Sequence, residues 1–135
     1  MEAITFSVQN ISYPGDPTFT QLLGINNAGT IAGTHNSALP QGFTLTLPNT
    51  FTSQNFPGAV ATRVTAVNNN GSTAGIYVDA TGTTQGFTKI GGTFTTVDQP
   101  GTKFNQALGI LIDRTARFPK LALNGPRAIS GVWSL

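Results

Sequence analysis

The chain has 135 residues, enough for one domain that buries a sizeable core. It is 39% hydrophobic and only 9% charged, against about 25% charged in an ordinary domain, a balance that excludes a disordered chain. The net charge is +2 and there is no cysteine, which excludes disulfides, thiolate metal sites and cysteine nucleophiles.

In chain order, MEAITFSVQN has neither a basic stretch nor an apolar run, so no signal peptide is expected. Ile4–Val8 alternates apolar and polar residues and reads as a short strand. Pro14-Gly15, Pro57-Gly58 and Pro100-Gly101 then recur at a period of 43 residues. Between them Gly24-Ile25-Asn26-Asn27-Ala28-Gly29 answers Ala66-Val67-Asn68-Asn69-Asn70-Gly71, and Gln41-Gly42-Phe43-Thr44 answers Gln85-Gly86-Phe87-Thr88. Thr50-Phe51-Thr52 answers Thr93-Phe94-Thr95, and Ala107-Leu108-Gly109-Ile110 answers Leu22-Leu23-Gly24-Ile25 in a third unit.

Each full unit parses into four short strands. The first ends at Gly-Ile-Asn or Ala-Val-Asn, and Asn-Asn-x-Gly turns the chain, since Asn and Gly tolerate positive φ. The second holds Ile31-Ala32-Gly33 or Thr73-Ala74-Gly75-Ile76-Tyr77, and the third Gly42–Leu47 or Gly86–Ile90. The third strand alternates in polarity, one face to a core and one to water. Pro48-Asn49 or Gly91-Gly92 leads to the fourth, at Phe51 or Phe94. The expected fold is all-β: tandem four-stranded antiparallel blades forming a partial β-propeller, with a β-sandwich of the same hairpins as the alternative. One repeat domain spans residues 1–135, with blades at 14–56 and 57–99 and a third, composite blade from 100–135 and 1–13.

The run Gly-Ile-Asn-Asn-x-Gly-x-Ile-Ala-Gly, followed by Gln-Gly-Phe and Gly-x-Phe-Thr-Thr-x-Asp-x-Pro-Gly, resembles the extracellular HAF-type repeat of bacteria over residues 14–110. Gln41 and Gln85 stand where that family has the His of its His-x-Phe motif, so a role for that His does not transfer. The resemblance implies secretion and a propeller-like array, and it supplies no catalytic residues.

After Ile110 the pattern breaks into Leu111-Ile112-Asp113-Arg114. Residues 111–135 carry Arg114, Arg117, Lys120 and Arg127 against Asp113 alone, so the alkaline balance belongs to the tail. Such scattered cations make no phosphate-binding surface, and no nucleic-acid or membrane partner is expected. The tail reads either as a divergent blade, with a hairpin of Lys120–Leu123 and Ala128–Leu135 about Asn124-Gly125-Pro126, or as non-homologous sequence. A propeller closes with four or more blades. A partial array is therefore expected to associate with itself, as a homodimer of three blades or a homotrimer of two.

His35 is the only histidine and has no ligand partner nearby in sequence, so it reads as a loop residue rather than a base or a metal ligand. Asp79 reads as a turn-capping acid; the spacing of the acids supports no metal site, and no cofactor motif is present. The paired turn residues Asn26, Asn27, Asn68 and Asn69 offer amides to sugar hydroxyls once per blade, and Tyr13, Tyr77 and Trp133, which do not repeat, offer rings for sugar stacking, Tyr77 and Trp133 being the ones taken as candidates. With His35 and Asp79 these are the candidate ligand-binding residues. They point to a non-catalytic, multivalent binding or scaffold module with glycan as the ligand class. The alternative is a hydrolase-like enzyme whose site forms only at the oligomer interface or ring centre.

Overall fold

The computed structural model describes residues 2–112. Eight strands follow in chain order: β1 (Thr20–Ile25), β2 (Thr30–His35), β3 (Gln41–Thr46), β4 (Thr50–Ser53), β5 (Ala61–Val67), β6 (Thr73–Val78), β7 (Thr84–Ile90) and β8 (Thr93–Val97). They form two four-stranded antiparallel sheets, β1-β2-β3-β4 and β5-β6-β7-β8, with each strand beside its neighbour in sequence. The fold is all-β, as the repeat requires, and no helix forms among the described residues.

The matching sequence segments make matching local structure. The β1–β2 turn closes with the Asn26 amide on Thr30 O at 3.0 Å and the Gly29 amide on Asn26 O at 3.1 Å. The β5–β6 turn repeats this with Asn68 on Ser72 O at 2.9 Å and Gly71 on Asn68 O at 3.1 Å. Gly29 and Gly71 hold φ near 81° and 80°, a conformation that a Cβ would strain. The register also shifts at the same place in both first strands, between Leu22 and Gly24 and between Val64 and Ala66. Each shift is a bulge that re-aims the strand end.

Apolar residues of the third strands fill the core. Phe43, Leu45 and Phe87 are fully buried. Phe43 pairs across the sheet with Gly33, and Phe87 with Gly75. The bare glycine lets the ring lie down over the backbone: a Cβ on Gly75 would come within 2.8 Å of the Phe87 ring. Between the sheets, β5 crosses β1, β2 and β3 of the first unit. Gly42 admits that crossing, since a Cβ there would meet the Val64 side chain at 2.8 Å.

The chain then begins to lay a third unit on the second in the same way. The Thr62 amide donates to Pro40 O at 2.7 Å across the first junction, and the Asn105 amide donates to Thr84 O at 2.9 Å across the next. Ala107 lies over Gly86 as Val64 lies over Gly42. Residues 103–112 form only an isolated bridge, Phe104 to Thr84. The N-terminal segment differs from expectation: Ile4–Val8 forms no strand and is exposed, because no third strand lies beside it among the described residues. The hairpin expected at Lys120–Leu135, and with it Trp133, lies outside the described residues.

Candidate functional site

Two aromatic boxes, one per unit, sit at equivalent places. In the first, Tyr13 stacks on His35 with ring centroids 3.6 Å apart and planes 7° from parallel. In the second, Phe56 stacks on Tyr77 at 3.8 Å and 2°. Phe43 and Phe51 complete the first box, and Phe87 and Phe94 the second, in tilted or edge-to-face contact. His35 is therefore the counterpart of Tyr77, and Tyr13 of Phe56. Two expectations are corrected. His35 is the last residue of β2 rather than a loop residue, and it is half-buried. Tyr77 is buried with one face covered by Phe56, so that face is closed to a sugar ring.

The two boxes differ at their polar ends. His35 Nδ1 lies 3.3 Å from Asp16 Oδ2. Asp16 Oδ1 accepts the Thr18 hydroxyl at 2.8 Å, and that bond, helped by His35, keeps the carboxyl below its usual range against partial desolvation. In the second unit the Tyr77 hydroxyl meets Gln85 Oε1 at 3.2 Å and Thr96 Oγ1 at 2.8 Å. Gln85 Nε2 in turn donates to Asp79 Oδ2 at 3.3 Å. Asp79 Oδ1 accepts the Thr81 hydroxyl at 2.6 Å, the Thr81 amide at 2.8 Å and the Thr83 amide at 3.0 Å, closing the β6–β7 loop. These bonds, the Thr81 hydroxyl foremost, hold the Asp79 carboxyl low.

The four candidate asparagines come together at the unit junction. Asn26 Oδ1 accepts the Thr30 amide at 2.8 Å, and its Nδ2 donates to Asn68 O at 3.0 Å. Asn68 repeats the pattern one unit on: Oδ1 accepts the Asn70 and Ser72 amides, each at 3.0 Å, and Nδ2 donates to Leu111 O at 3.3 Å. Asn69 Oδ1 accepts the Asn27 amide at 2.8 Å. Asn26 and Asn68 thus latch each unit to the next, Asn69 adds a bond across the same junction, and Asn27 and Asn69 both remain exposed.

Sequence reasoning weighed Tyr13 only as a non-repeating ring for sugar stacking and Asp16 only as one of several dispersed acids, although Tyr13 stands one 43-residue period before Phe56. It also passed over the junction contact of Gln54, which donates to Thr44 Oγ1 at 3.1 Å and accepts Lys89 Nζ at 2.8 Å. A groove of about 370 Å³ lies beside β5, between Leu39, Val60, Val78 and Phe104, and among the described residues Arg63 is its one charged wall residue. Asp16 and His35 form an acid–base pair, yet the ring makes no other hydrogen bond among the described residues.

The largest departure from repeat symmetry is apolar. Val64 and Val67 of β5 are 0% and 7% exposed, because they rest on the first sheet. Their counterparts in β1, Leu22 and Ile25, are 43% and 66% exposed. Nothing among the described residues lies on the first unit as the first unit lies on the second. Comparison with family models, with curated proteins and with solved structures finds no match to this chain.

Proposed function

We propose that the chain is a non-catalytic repeat module that works as a self-associating scaffold, its first unit covered by the trailing unit of another copy. The observation that carries this reading is the contrast between buried Val64 and Val67 and exposed Leu22 and Ile25. Equivalent residues on equivalent strands meet water in one unit and a sheet in the other. Contiguous exposed apolar surface of this kind favours association, and the face already has a template for its partner in the β5 crossing.

The inter-unit bonds support a head-to-tail arrangement. Each junction uses backbone and amide groups that recur from one unit to the next, so another copy can extend the series. Two or three copies would supply six blades, a ring size within the propeller range. The solvent-facing Asn27 and Asn69 would then be repeated around the assembly, where weak contacts with glycan hydroxyls gain by effective concentration.

Sedimentation of the full chain and of Ile25→Asp tests the reading. The full chain is expected to sediment as two or three copies and the variant as one. A full chain that is monomeric at all concentrations would overturn it.

A further inference from the structure

The groove of about 370 Å³ beside β5 is built where two junctions meet. Leu39 comes from the β2–β3 loop, Val60 from the stretch before β5, Ile76 and Val78 from β6, and Phe104 from the start of the third unit. Leu39, Val60 and Phe104 are 56%, 44% and 63% exposed, so these apolar walls are open to water. A concave apolar site with a few polar groups on its wall is the usual form of a small-molecule pocket, at about 300–1,000 Å³.

Backbone groups along the walls are already bonded. The Val60 amide donates to Val78 O at 2.9 Å, the Thr62 amide to Pro40 O at 2.7 Å and the Thr84 amide to Lys103 O at 3.2 Å, while Thr84 O accepts the Asn105 amide at 2.9 Å. These groups are not free to pair with an extended peptide, so recognition in the groove falls to side chains.

Arg63 is the one charged wall residue among the described residues. It precedes Val64 in β5 as Gln21 precedes Leu22 in β1, and Gln106 stands one 43-residue period after it. Of three equivalent places, two carry glutamine and only the second unit carries a cation. Among the described residues the aspartates bond elsewhere: Asp16 to Thr18 and His35, Asp79 to Thr81 and Gln85, and Asp98 to Asn105. A guanidinium is complementary to a carboxylate, which it takes through two parallel hydrogen bonds.

We propose that this groove binds a small apolar monocarboxylate of the medium-chain fatty acid type. Arg63 holds the carboxylate, and Leu39, Val60, Ile76, Val78 and Phe104 receive the hydrocarbon chain. Burial of that chain drives entry, and the ion pair sets its direction. One negative charge matches one cation; a phosphate monoester, with more than one, would leave charge unmatched beside apolar walls. All these wall residues belong to one chain, so binding does not depend on self-association.

Calorimetric titration of the full chain with sodium octanoate, 1-octanol and octylamine tests the assignment. Octanoate is expected to saturate one site per chain and to bind at least about ten-fold more tightly than either other probe. Arg63→Gln places there the residue that the other two units carry. It is expected to weaken octanoate by about ten-fold or more and leave octanol unchanged, with an unchanged circular dichroism spectrum. Val60→Asp is expected to weaken octanoate and octanol alike. Octanoate that fails to saturate, or that binds Arg63→Gln as tightly as the native chain, would overturn the site. Octanol binding equal to that of octanoate would overturn the carboxylate as the recognised group. Octanoate taken up only by dilute, dissociated chains would place a second copy in the groove and overturn the small ligand as its occupant.

Discussion

Gly75 shows how far one side-chain position sets the local packing. Its neighbours are the Arg63 carbonyl and the Phe87 ring, and a Cβ would press on both. Gly75→Ala is therefore expected to destabilise the fold by about 1–3 kcal/mol, the usual range for forced overpacking. Gly109→Ala, with open space around it, should be near neutral; urea unfolding of the two variants checks the contrast. Asp79 makes a different kind of contribution. Its folded carboxyl sits below its usual value of 3.8, because the Thr81 hydroxyl and the Thr83 amide favour the charged form. A depressed carboxylate pKa stabilises the fold at pH above the unfolded value and loses that contribution as pH falls through the folded value. The urea midpoint of the native chain should thus fall on acidification below about pH 4, and more steeply than that of Asp79→Asn.

At the level of strands, the Asn68 side chain ties two pieces of chain together, its own β5–β6 turn and the segment at Leu111. Two amides donate to its Oδ1, and its Nδ2 reaches Leu111 O. Asn68→Ala leaves partly buried backbone groups without partners, at about 1–3 kcal/mol for such a group. The loss should exceed that of Asn69→Ala, and amide exchange over residues 107–112 should quicken. The strands themselves were legible in the sequence, since Asn-Asn-x-Gly, Gln-Gly-Phe and Thr-Phe-Thr punctuate each unit identically. The pairing of Tyr13 with His35 was not. Tyr13 to Phe56 is a step of 43 residues, but His35 to Tyr77 is 42 and Gln41 to Gln85 is 44, because the hairpin continues one strand pair beyond Tyr77↔Gln85, to Val78↔Thr84, and ends at His35↔Gln41 in the first unit. With that drift the sequence matches His35 to Tyr77 only approximately, and packing alone shows that the two rings take the same stacked place. The latch role of Asn26 and Asn68 was hidden for another reason: the same amide that makes a turn also reaches across a junction, and only packing shows the second bond.

In the whole chain, the same junction is built once between the first two units and begun again at residues 103–112. The first unit also presents the inserting face of that junction, the counterpart of the β5 face, with nothing among the described residues on it. Leu22 and Ile25 stand where Val64 and Val67 are buried, and self-association is the proposal that removes this asymmetry. A chain without cysteine allows the most direct measurement, the alkylation rate of a single introduced thiol. In Leu22→Cys the thiol is expected to react progressively more slowly as protein concentration rises, while that of Ala80→Cys, on the exposed β6–β7 loop, keeps its rate. A thiol at position 22 that reacts at one rate from dilute to concentrated solution would contradict the account, since the face would then remain open to water.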